Sequence, residues 1–164
     1  MVTAYAVAGS VLDPELPLLT LAELGVLRDV SADPSGKVVV TITPTYTGCP
    51  AMDAMRADLR AALLDAGFRA VEVRTVLHPA WTTDWITESG RRKLAEAGIA
   101  PPGPAPARTD GPIPLTLGPV VRSVRCPLCG CADTEELSAF GSTACKALRR
   151  CRRCLEPFEH LKEL

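Results

Sequence analysis

The sequence predicts an α+β fold, in which a small mixed sheet of about three strands with helices on one face is followed by a C-terminal zinc-ribbon module. Three observations lead to this prediction. Segments with strand-like and helix-like spacing of apolar residues alternate over residues 1–100. A stretch rich in proline and glycine follows them, and two Cys-x-x-C motifs lie beyond it.

The composition indicates a folded chain and disfavours several kinds of partner. The 164 residues are 47% apolar and 23% charged, which is typical of globular proteins. The net charge of −1 offers no general attraction to nucleic acid or to a membrane surface. The N-terminus lacks a basic segment, and no run of about 18 apolar residues occurs. We therefore expect a cytoplasmic protein without a membrane partner, and we do not expect nucleic acid as its ligand.

The first half of the body predicts a short helix and a β-hairpin. Residues 4–11 are mostly apolar and end at a rigid loop over 13–17, where two prolines exclude helix. A brief capped turn over 20–25 follows. Residues 26–31 and 37–43 flank an Asp-Pro-Ser-Gly turn and contain several β-branched side chains, so they should pair.

A helix and a third strand complete the predicted sheet. The helix starts at Pro50, because proline fits the first helical position, and it stops at Gly67. Its apolar residues recur at spacings of three and four: Met52, Met55, Leu59, Ala62, Leu63 and Ala66. Residues 70–77 alternate as a strand, and residues 87–97 form another helix that stops at Gly98.

Proline and glycine divide the chain into two domains. The segment from 101 to 120 contains Pro-Pro-Gly-Pro-Ala-Pro and Gly-Pro-Ile-Pro, which cannot hold a helix or a central strand. We predict an α+β domain over residues 1–100, an extended linker over 101–120 and a zinc ribbon over 121–164.

Four cysteines of the tail have the spacing of a zinc site. Cys126 and Cys129 form one Cys-x-x-C motif, and Cys151 and Cys154 form another after 21 intervening residues. Such motifs suit tetrahedral Zn²⁺, and a hairpin between them can bring the ligands together. Four thiolates leave no open coordination position, so the zinc should be structural. Reduced structural thiols and an iron–sulfur cluster on the same ligands are the alternatives.

Two further cysteines of the tail have two interpretations each. Cys131 either packs beside the site or competes as a ligand. Cys145 is either a packed thiol or a reactive one, because nearby cations favour a thiolate. These cations are Lys146, Arg149 and Arg150, and the two arginines continue into a basic cluster of Arg149, Arg150, Arg152 and Arg153. The cluster could contact RNA, but neighbouring glutamates favour a protein-facing or solvated surface.

Cys49 is the candidate reactive residue of the body. It precedes Pro50 at the predicted N-cap of the helix, where the helix dipole and free N–H groups stabilise a thiolate. We interpret it as a reactive thiol or a transient metal ligand, with a small capping residue as the alternative. Asp13 and Glu15 could approach it as oxygen ligands, or they are surface carboxylates. No nucleophile–base–acid set is visible, so no catalytic residue is predicted.

Trp81 and Trp85 are the two tryptophans of the chain. Four residues apart, they share one face if their segment is helical. They belong either to the core or to an anchor patch for a partner protein, and burial decides between the two.

Several runs of the sequence resemble a known family. A first set resembles the small α+β domain of iron–sulfur-assembly proteins of the SufT type: DPELP at 13–17, LGVLRDV at 24–30 and TITPTYTGCP at 41–50. A second set is similar to the D-subunit family of the bacterial phenylacetyl-CoA 1,2-epoxidase system: WTTDWITESGRRKL at 81–94, GIAPP at 98–102 and FGSTACKA at 140–147. The resemblance covers nearly the whole chain.

The resemblance implies an accessory role in aerobic phenylacetate degradation. The partners it implies are the di-iron oxygenase subunit and the iron–sulfur/flavin reductase subunit of a multicomponent monooxygenase, and related domains also form homodimers. Cys49 matches the reactive cysteine of the family's Gly-Cys-Pro motif, Asp13 and Glu15 match its acidic loop, and the tail cysteines match its ribbon. The implied metals are structural zinc and transient iron or an iron–sulfur cluster.

Four functional hypotheses follow. The first is a factor that helps to assemble or load the metal centres of the epoxidase subunits. The second is a stoichiometric, non-catalytic subunit that docks through the ribbon or the tryptophans. The third, a thiol enzyme, lacks a visible base for Cys49. The fourth, an RNA-binding ribbon, requires affinity that falls steeply with salt.

Overall fold

The computed structural model describes residues 3–46, 48–105 and 123–163. The chain divides into two compact units, Met1–Leu94 and Ala95–Leu164, and each is described by itself. Within the described ranges, no helix has both the length and the apolar character needed to cross a bilayer.

The first unit contains the predicted mixed sheet. Helix α1 (Ala4–Gly9) precedes strands β1 (Leu27–Ala32) and β2 (Val38–Ile42), which pair antiparallel with Val30 opposite Val40. Helix α2 (Met52–Asp65) then connects β2 to β3 (Val71–Thr75), which lies parallel to β2. Within the described residues this sheet has three strands in the order β1-β2-β3. The predicted α+β class is therefore confirmed.

The core of the first unit lies between α2 and the sheet. Met55, Leu59 and Leu63 of α2 are buried, as their helical spacing predicts, and Val40 and Ile42 of β2 are fully buried. The apolar face predicted for this helix extended one residue too far, because α2 ends at Asp65 and Ala66, the last residue of that face, is exposed.

The segment that carries the two tryptophans is not an α-helix, so they do not share a helical face. Trp81 lies before a short 3₁₀ turn (Thr83–Trp85), is only 4% exposed, and donates its indole N–H to the Leu24 carbonyl at 3.0 Å. The Arg28 guanidinium stacks over the Trp85 ring, 3.5 Å from its centroid. Trp81 is therefore a core residue and is not available for an exposed anchor patch. Helix α3 (Glu88–Glu96) follows.

The second unit contains another sheet, built around the predicted hairpin. Strands β5 (Thr134–Ser138) and β6 (Lys146–Cys151) pair antiparallel between the two Cys-x-x-C motifs, and β7 (Pro157–Leu161) pairs antiparallel with β6. The short β4 (Ile99–Ala100) lies parallel to β7. The strand order, as far as the structure describes the chain, is β4-β7-β6-β5.

The boundary between the units differs from the predicted one at residue 100. Because β4 pairs with β7, residues 95–100 belong to the second unit, although their sequence continues the predicted helix of the body. The first residues of the predicted linker, 101–105, are described, and there the Gly103 N–H donates to the Glu163 carboxylate at 3.0 Å. The remainder, 106–120, lies outside the described residues.

Candidate metal centre and the Cys49 site

The second unit brings the four predicted zinc ligands together. The Sγ atoms of Cys126, Cys129, Cys151 and Cys154 all lie within 4.8 Å of one another. The Cys126 and Cys154 sulfurs are 3.8 Å apart, and those of Cys129 and Cys151 are 3.5 Å apart. The β5–β6 hairpin explains this arrangement, because it places the second motif beside the first.

The electrostatics of these thiols fit a bound cation. Backbone N–H groups of Cys154 and Arg153 point at the Cys151 sulfur, at 3.5 and 3.4 Å, and lower the pKa of that thiol to about 6. At Cys129 the N–H of Cys131 acts to lower the thiol pKa. Burial and the neighbouring thiols outweigh this effect and raise the pKa of Cys129 to about 12. Thiols packed this closely can all ionise only around a positive ion.

The donor set indicates the kind of metal and its role. Four thiolates at tetrahedral spacing suit Zn²⁺, and they would fill its coordination sphere and leave no position for water or substrate. A metal held here would stabilise the fold of the second unit and would not perform chemistry.

The two other tail cysteines are not members of the ligand set. Cys131 is half-buried and packs against the small core around the site, which matches the packing interpretation. Cys145 is buried on the loop before β6, with its sulfur 3.1 Å from the Thr143 hydroxyl.

Lys146 and most of the basic cluster are neutralised by nearby carboxylates. Lys146 pairs with Glu159 at 2.9 Å, Arg149 pairs with Glu136 at 3.4 Å, and Arg150 pairs with Glu135. The charges that could have favoured a Cys145 thiolate are therefore compensated by nearby carboxylates, and so are those that could have contacted RNA, apart from Arg153.

Cys49 does not occupy the helix N-cap, so the predicted reason for a stabilised thiolate was wrong. The N-cap of α2 is Ala51, and Cys49 lies in the turn before it, with its side chain buried. Burial raises the pKa of the Cys49 thiol, and the nearby Glu15 and Asp13 carboxylates raise it further, whereas an N–H donated by Ala51 lowers it. The thiol is consequently protonated at neutral pH.

The acidic loop lies within electrostatic reach of Cys49, as the sequence suggested. Asp13 is only 3% exposed, and its Oδ1 accepts the N–H groups of Glu15 at 2.9 Å and Leu16 at 2.7 Å. These bonds fold the loop 13–17 into a tight turn. Across the parts of the chain that the structure describes, however, the tail cysteines are the sole group preassembled for a metal.

Sequence reasoning missed Tyr46 as part of this site. Its side chain donates a hydrogen bond to the Cys49 sulfur, and its carbonyl accepts the Cys49 N–H at 3.3 Å. A small cavity of about 70 Å³ adjoins it and is lined by Thr43, Pro44, Thr45, Tyr46, Leu77, Ala80 and Trp81. The available signal was a tyrosine three residues before the cysteine of the Gly-Cys-Pro motif.

The buried Asp13 carboxyl should make stability depend on pH. Burial raises the pKa of Asp13 above its usual 3.8, although the Leu16 and Glu15 amides oppose this. Between the two pKa values the folded chain holds a proton that the unfolded chain has released, so the contribution of Asp13 to stability falls as the pH rises through this window. Asp13→Asn keeps an Oδ1 acceptor and removes the charge.

We therefore expect the thermal midpoint of Asp13→Asn, relative to that of the unchanged chain, to rise as the pH increases through the acidic range above about 3.8. Thermal unfolding followed by circular dichroism at several pH values measures it. If the difference in thermal midpoint between Asp13→Asn and the unchanged chain were the same at every pH, the environment of Asp13 would not disfavour its charged form.

Comparison with known proteins agrees with this two-part architecture. The model of the family "Iron-sulfur cluster assembly protein" matches residues 5–75, and that of the "PaaD zinc beta ribbon domain" matches residues 112–162. The first unit is also similar to the crystal structure of a DUF59 domain from Bacillus anthracis, with a TM-score of 0.51 and 30% identity, covering 56% of this chain and 87% of that one.

Two curated relatives extend the comparison. The putative D subunit of 1,2-phenylacetyl-CoA epoxidase from Escherichia coli K12 is 42% identical over 158 residues, which cover 96% of this chain and 90% of the relative. "Fe-S protein maturation auxiliary factor YitW" of Bacillus subtilis is 36% identical over 85 residues, covering 51% of this chain and 82% of the relative. The chain therefore belongs to the PaaD family of phenylacetyl-CoA epoxidase D subunits, and it carries an iron–sulfur cluster assembly domain followed by a zinc β ribbon.

Proposed function

We propose that this chain is an accessory factor that helps to assemble or load the iron–sulfur or di-iron centres of phenylacetyl-CoA epoxidase subunits in aerobic phenylacetate degradation. The relatives named as an Fe-S maturation factor and as the D subunit of an epoxidase support a role in handling metal or clusters. The oxygenase and reductase subunits are the proposed clients. A homodimer remains a prediction.

The observation that carries the proposal is the neighbourhood of Cys49. A thiol and two carboxylates of the acidic loop lie within electrostatic reach of one another, and such a mixed sulfur and oxygen donor set suits iron. Because the groups are not preassembled into a tight site, binding there would be weak and reversible, as delivery to a client requires. In the ribbon, four thiolates would fill the coordination sphere of one metal ion, so that site has no open coordination position through which the metal could pass to a client.

The protonation of Cys49 suits this role. A buried neutral thiol is a poor nucleophile and resists oxidation, because the thiolate is the reactive form. An arriving metal would displace the proton, and the Ala51 amide and the Tyr46 hydroxyl already donate to the sulfur that remains. Cys49 would thus hold a metal only while one is delivered, and we assign no catalytic step to it.

One observation favours the second candidate function, a stoichiometric docking subunit. The second unit has several exposed large apolar side chains: Leu128 at 59%, Leu137 at 48%, Phe140 at 67% and Leu155 at 68% exposure. Exposed apolar residues on a metal-stabilised module are consistent with contact to another protein. The two functions are compatible, because a loading factor must also bind its client.

The test replaces Cys49 with serine and co-expresses the chain with the oxygenase and reductase subunits. We expect the iron content of the purified clients to fall several-fold, because the hydroxyl does not ligate iron as a thiolate does. Metal analysis of the clients measures this, and thermal unfolding verifies that the variant folds.

Cys131→Ser is the matched control, because Cys131 lies outside both the ligand set and the Cys49 site. It should leave client iron unchanged. The proposal fails if Cys49→Ser also yields clients with full iron content and activity.

A further inference from the structure

Two turns of the zinc ribbon have the same backbone geometry but different residues at the same position. After the first motif, the Gly130 N–H donates to the Cys126 carbonyl at 2.9 Å, and Gly130 has φ of 71°. After the second motif, the Leu155 N–H donates to the Cys151 carbonyl at 3.0 Å, and Leu155 has φ of 65°. Leucine thus occupies the position that glycine holds in the equivalent turn.

This conformation is unfavourable for leucine. The left-handed region is easily reached by glycine, whereas a side chain at Cβ crowds the following carbonyl oxygen. Among the residues that the structure describes, Leu155 is the one non-glycine residue with positive φ. The turn would be more relaxed with glycine, so the stability of the ribbon does not explain this side chain.

The side chain of Leu155 is not used in the core of its own unit. It is 68% exposed, whereas the apolar cluster around the metal ligands consists of Ala100, Val124, Cys126, Cys151 and Phe158, with Cys131 and Cys154 packed against it. A single exposed leucine is ordinary on a protein surface, so it is the backbone strain that sets Leu155 apart, because strained residues cluster at functional sites.

The charges near Leu155 indicate what kind of surface would cover it. Arg153, two residues earlier, is exposed, and its guanidinium makes no hydrogen bond or ion pair within the described ranges. Arg152 is already paired with Glu135 and Asp133. Glu156 is exposed on the other side of Leu155. RNA would meet repulsion at Glu156, whereas a protein surface can pair with charges of both signs.

We infer that Leu155 and Arg153 form a docking point for a catalytic subunit of the epoxidase, one with an apolar depression for the leucine and a carboxylate at its rim for the arginine. This inference rests on the proposed function in taking the client subunits as the partner. In this inference the second unit recognises the client subunit. The contact with that subunit explains why a leucine occupies a strained backbone position.

The experiment uses the full-length zinc-loaded chain and titrates it, by calorimetry, into the purified oxygenase subunits and separately into the reductase subunit. Leu155→Gly should weaken binding to one of them by about tenfold or more. The same variant should retain its zinc and unfold at an equal or higher temperature, because glycine relieves the strain. A purely structural residue would behave in the opposite way.

Two further variants make the result specific. Leu155→Asn tolerates the left-handed backbone and should lose affinity as well. Leu64→Asn, which removes an exposed leucine with ordinary backbone geometry from helix α2 of the first unit, should bind normally. Unchanged affinity of both Leu155 variants, or a lower unfolding temperature of Leu155→Gly, would overturn the inference.

Two outcomes concern the partner itself. If the wild-type chain binds neither subunit, or binds RNA instead, the inferred occupant is wrong. Cys49→Ser separates this inference from the proposed function, because it should bind the client normally yet fail to load it. If loading of the client depends on Cys49 but binding is unchanged in the Leu155 variants, the docking point alone is overturned. If binding depends on Leu155 but loading of the client is unchanged in Cys49→Ser, the loading function alone is overturned.

Discussion

Removing the metal from the ribbon is expected to unfold the second unit and leave the first unit folded. Eight apolar residues of the second unit are buried within the described ranges, and two of them, Cys126 and Cys151, are metal ligands. So small an apolar core contributes little stability by itself, whereas a structural Zn²⁺ site contributes roughly 10–16 kcal/mol in zinc-finger peptides near pH 7. Cys151→Ser should have the same effect, because it removes the ligand at the end of β6.

Hydrogen exchange measured by mass spectrometry, with and without a chelator, resolves the two units. Amides of β5, β6 and β7 should lose protection when the metal is removed, whereas those of β2 and α2 should keep it. Cys131→Ser serves as the control, since it removes a sulfur beside the core but no ligand. Protection of the β6 amides that survives chelation would mean that the ribbon folds without metal.

Gly25→Ala is expected to cause the largest loss of stability in the first unit. Gly25 has φ of 75°, and an added Cβ would lie 2.6 Å from both the Cβ and the carbonyl oxygen of Trp85. The contact involves backbone, so it cannot be relieved by a rotamer change. We expect a loss of about 3 kcal/mol or more in the free energy of unfolding, from steric overlap added to backbone strain.

Gly36→Ala is the matched control for this prediction. Gly36 has a similar φ of 81°, but nothing lies within 4 Å of an added Cβ. Its substitution should therefore cost only the backbone term, about 1–2 kcal/mol. Urea unfolding of both variants measures the difference. Equal losses would show that the Gly25–Trp85 contact does not constrain the fold.

The elements that could be predicted from sequence are those specified by local patterns. The three- and four-residue spacing of Met55, Leu59 and Leu63 defined α2, and the turn between β1 and β2 defined the hairpin. The two Cys-x-x-C motifs identified the ribbon, because ligand spacing is itself a local property.

Most of the features that could not be predicted depend on contacts between residues far apart in the chain, and one depends on a local turn. Strand β4 is two residues long and exists through its pairing with β7, some 60 residues later, so no local signal marks it. Trp81 is fixed in the core by the Leu24 carbonyl, a contact with a distant turn. The helix start was misplaced because Met52 N–H bonds to the Cys49 carbonyl, which adds a tight turn before the first α-helical turn.

The approach of the acidic loop to Cys49 could be anticipated from the sequence, but the electrostatics of the thiol could not. The sequence indicated Cys49, Asp13 and Glu15, and the structure brings the two carboxylates close enough to affect the thiol. Burial of Cys49, and the hydrogen bond from Tyr46, depend on how the loops before α2 pack. Those features could not be read from residue types, and they reverse the expected direction of the pKa shift.

Metal analysis of three co-expressed chains tests the central claim most directly, namely that the ribbon holds a structural metal while Cys49 serves the client. We predict about one zinc per chain in the wild type and in Cys49→Ser, and its loss in Cys151→Ser. In the same preparations, client iron should be full with the wild type and several-fold lower with Cys49→Ser. Loss of zinc from Cys49→Ser, or full client iron in its presence, would contradict this division of roles.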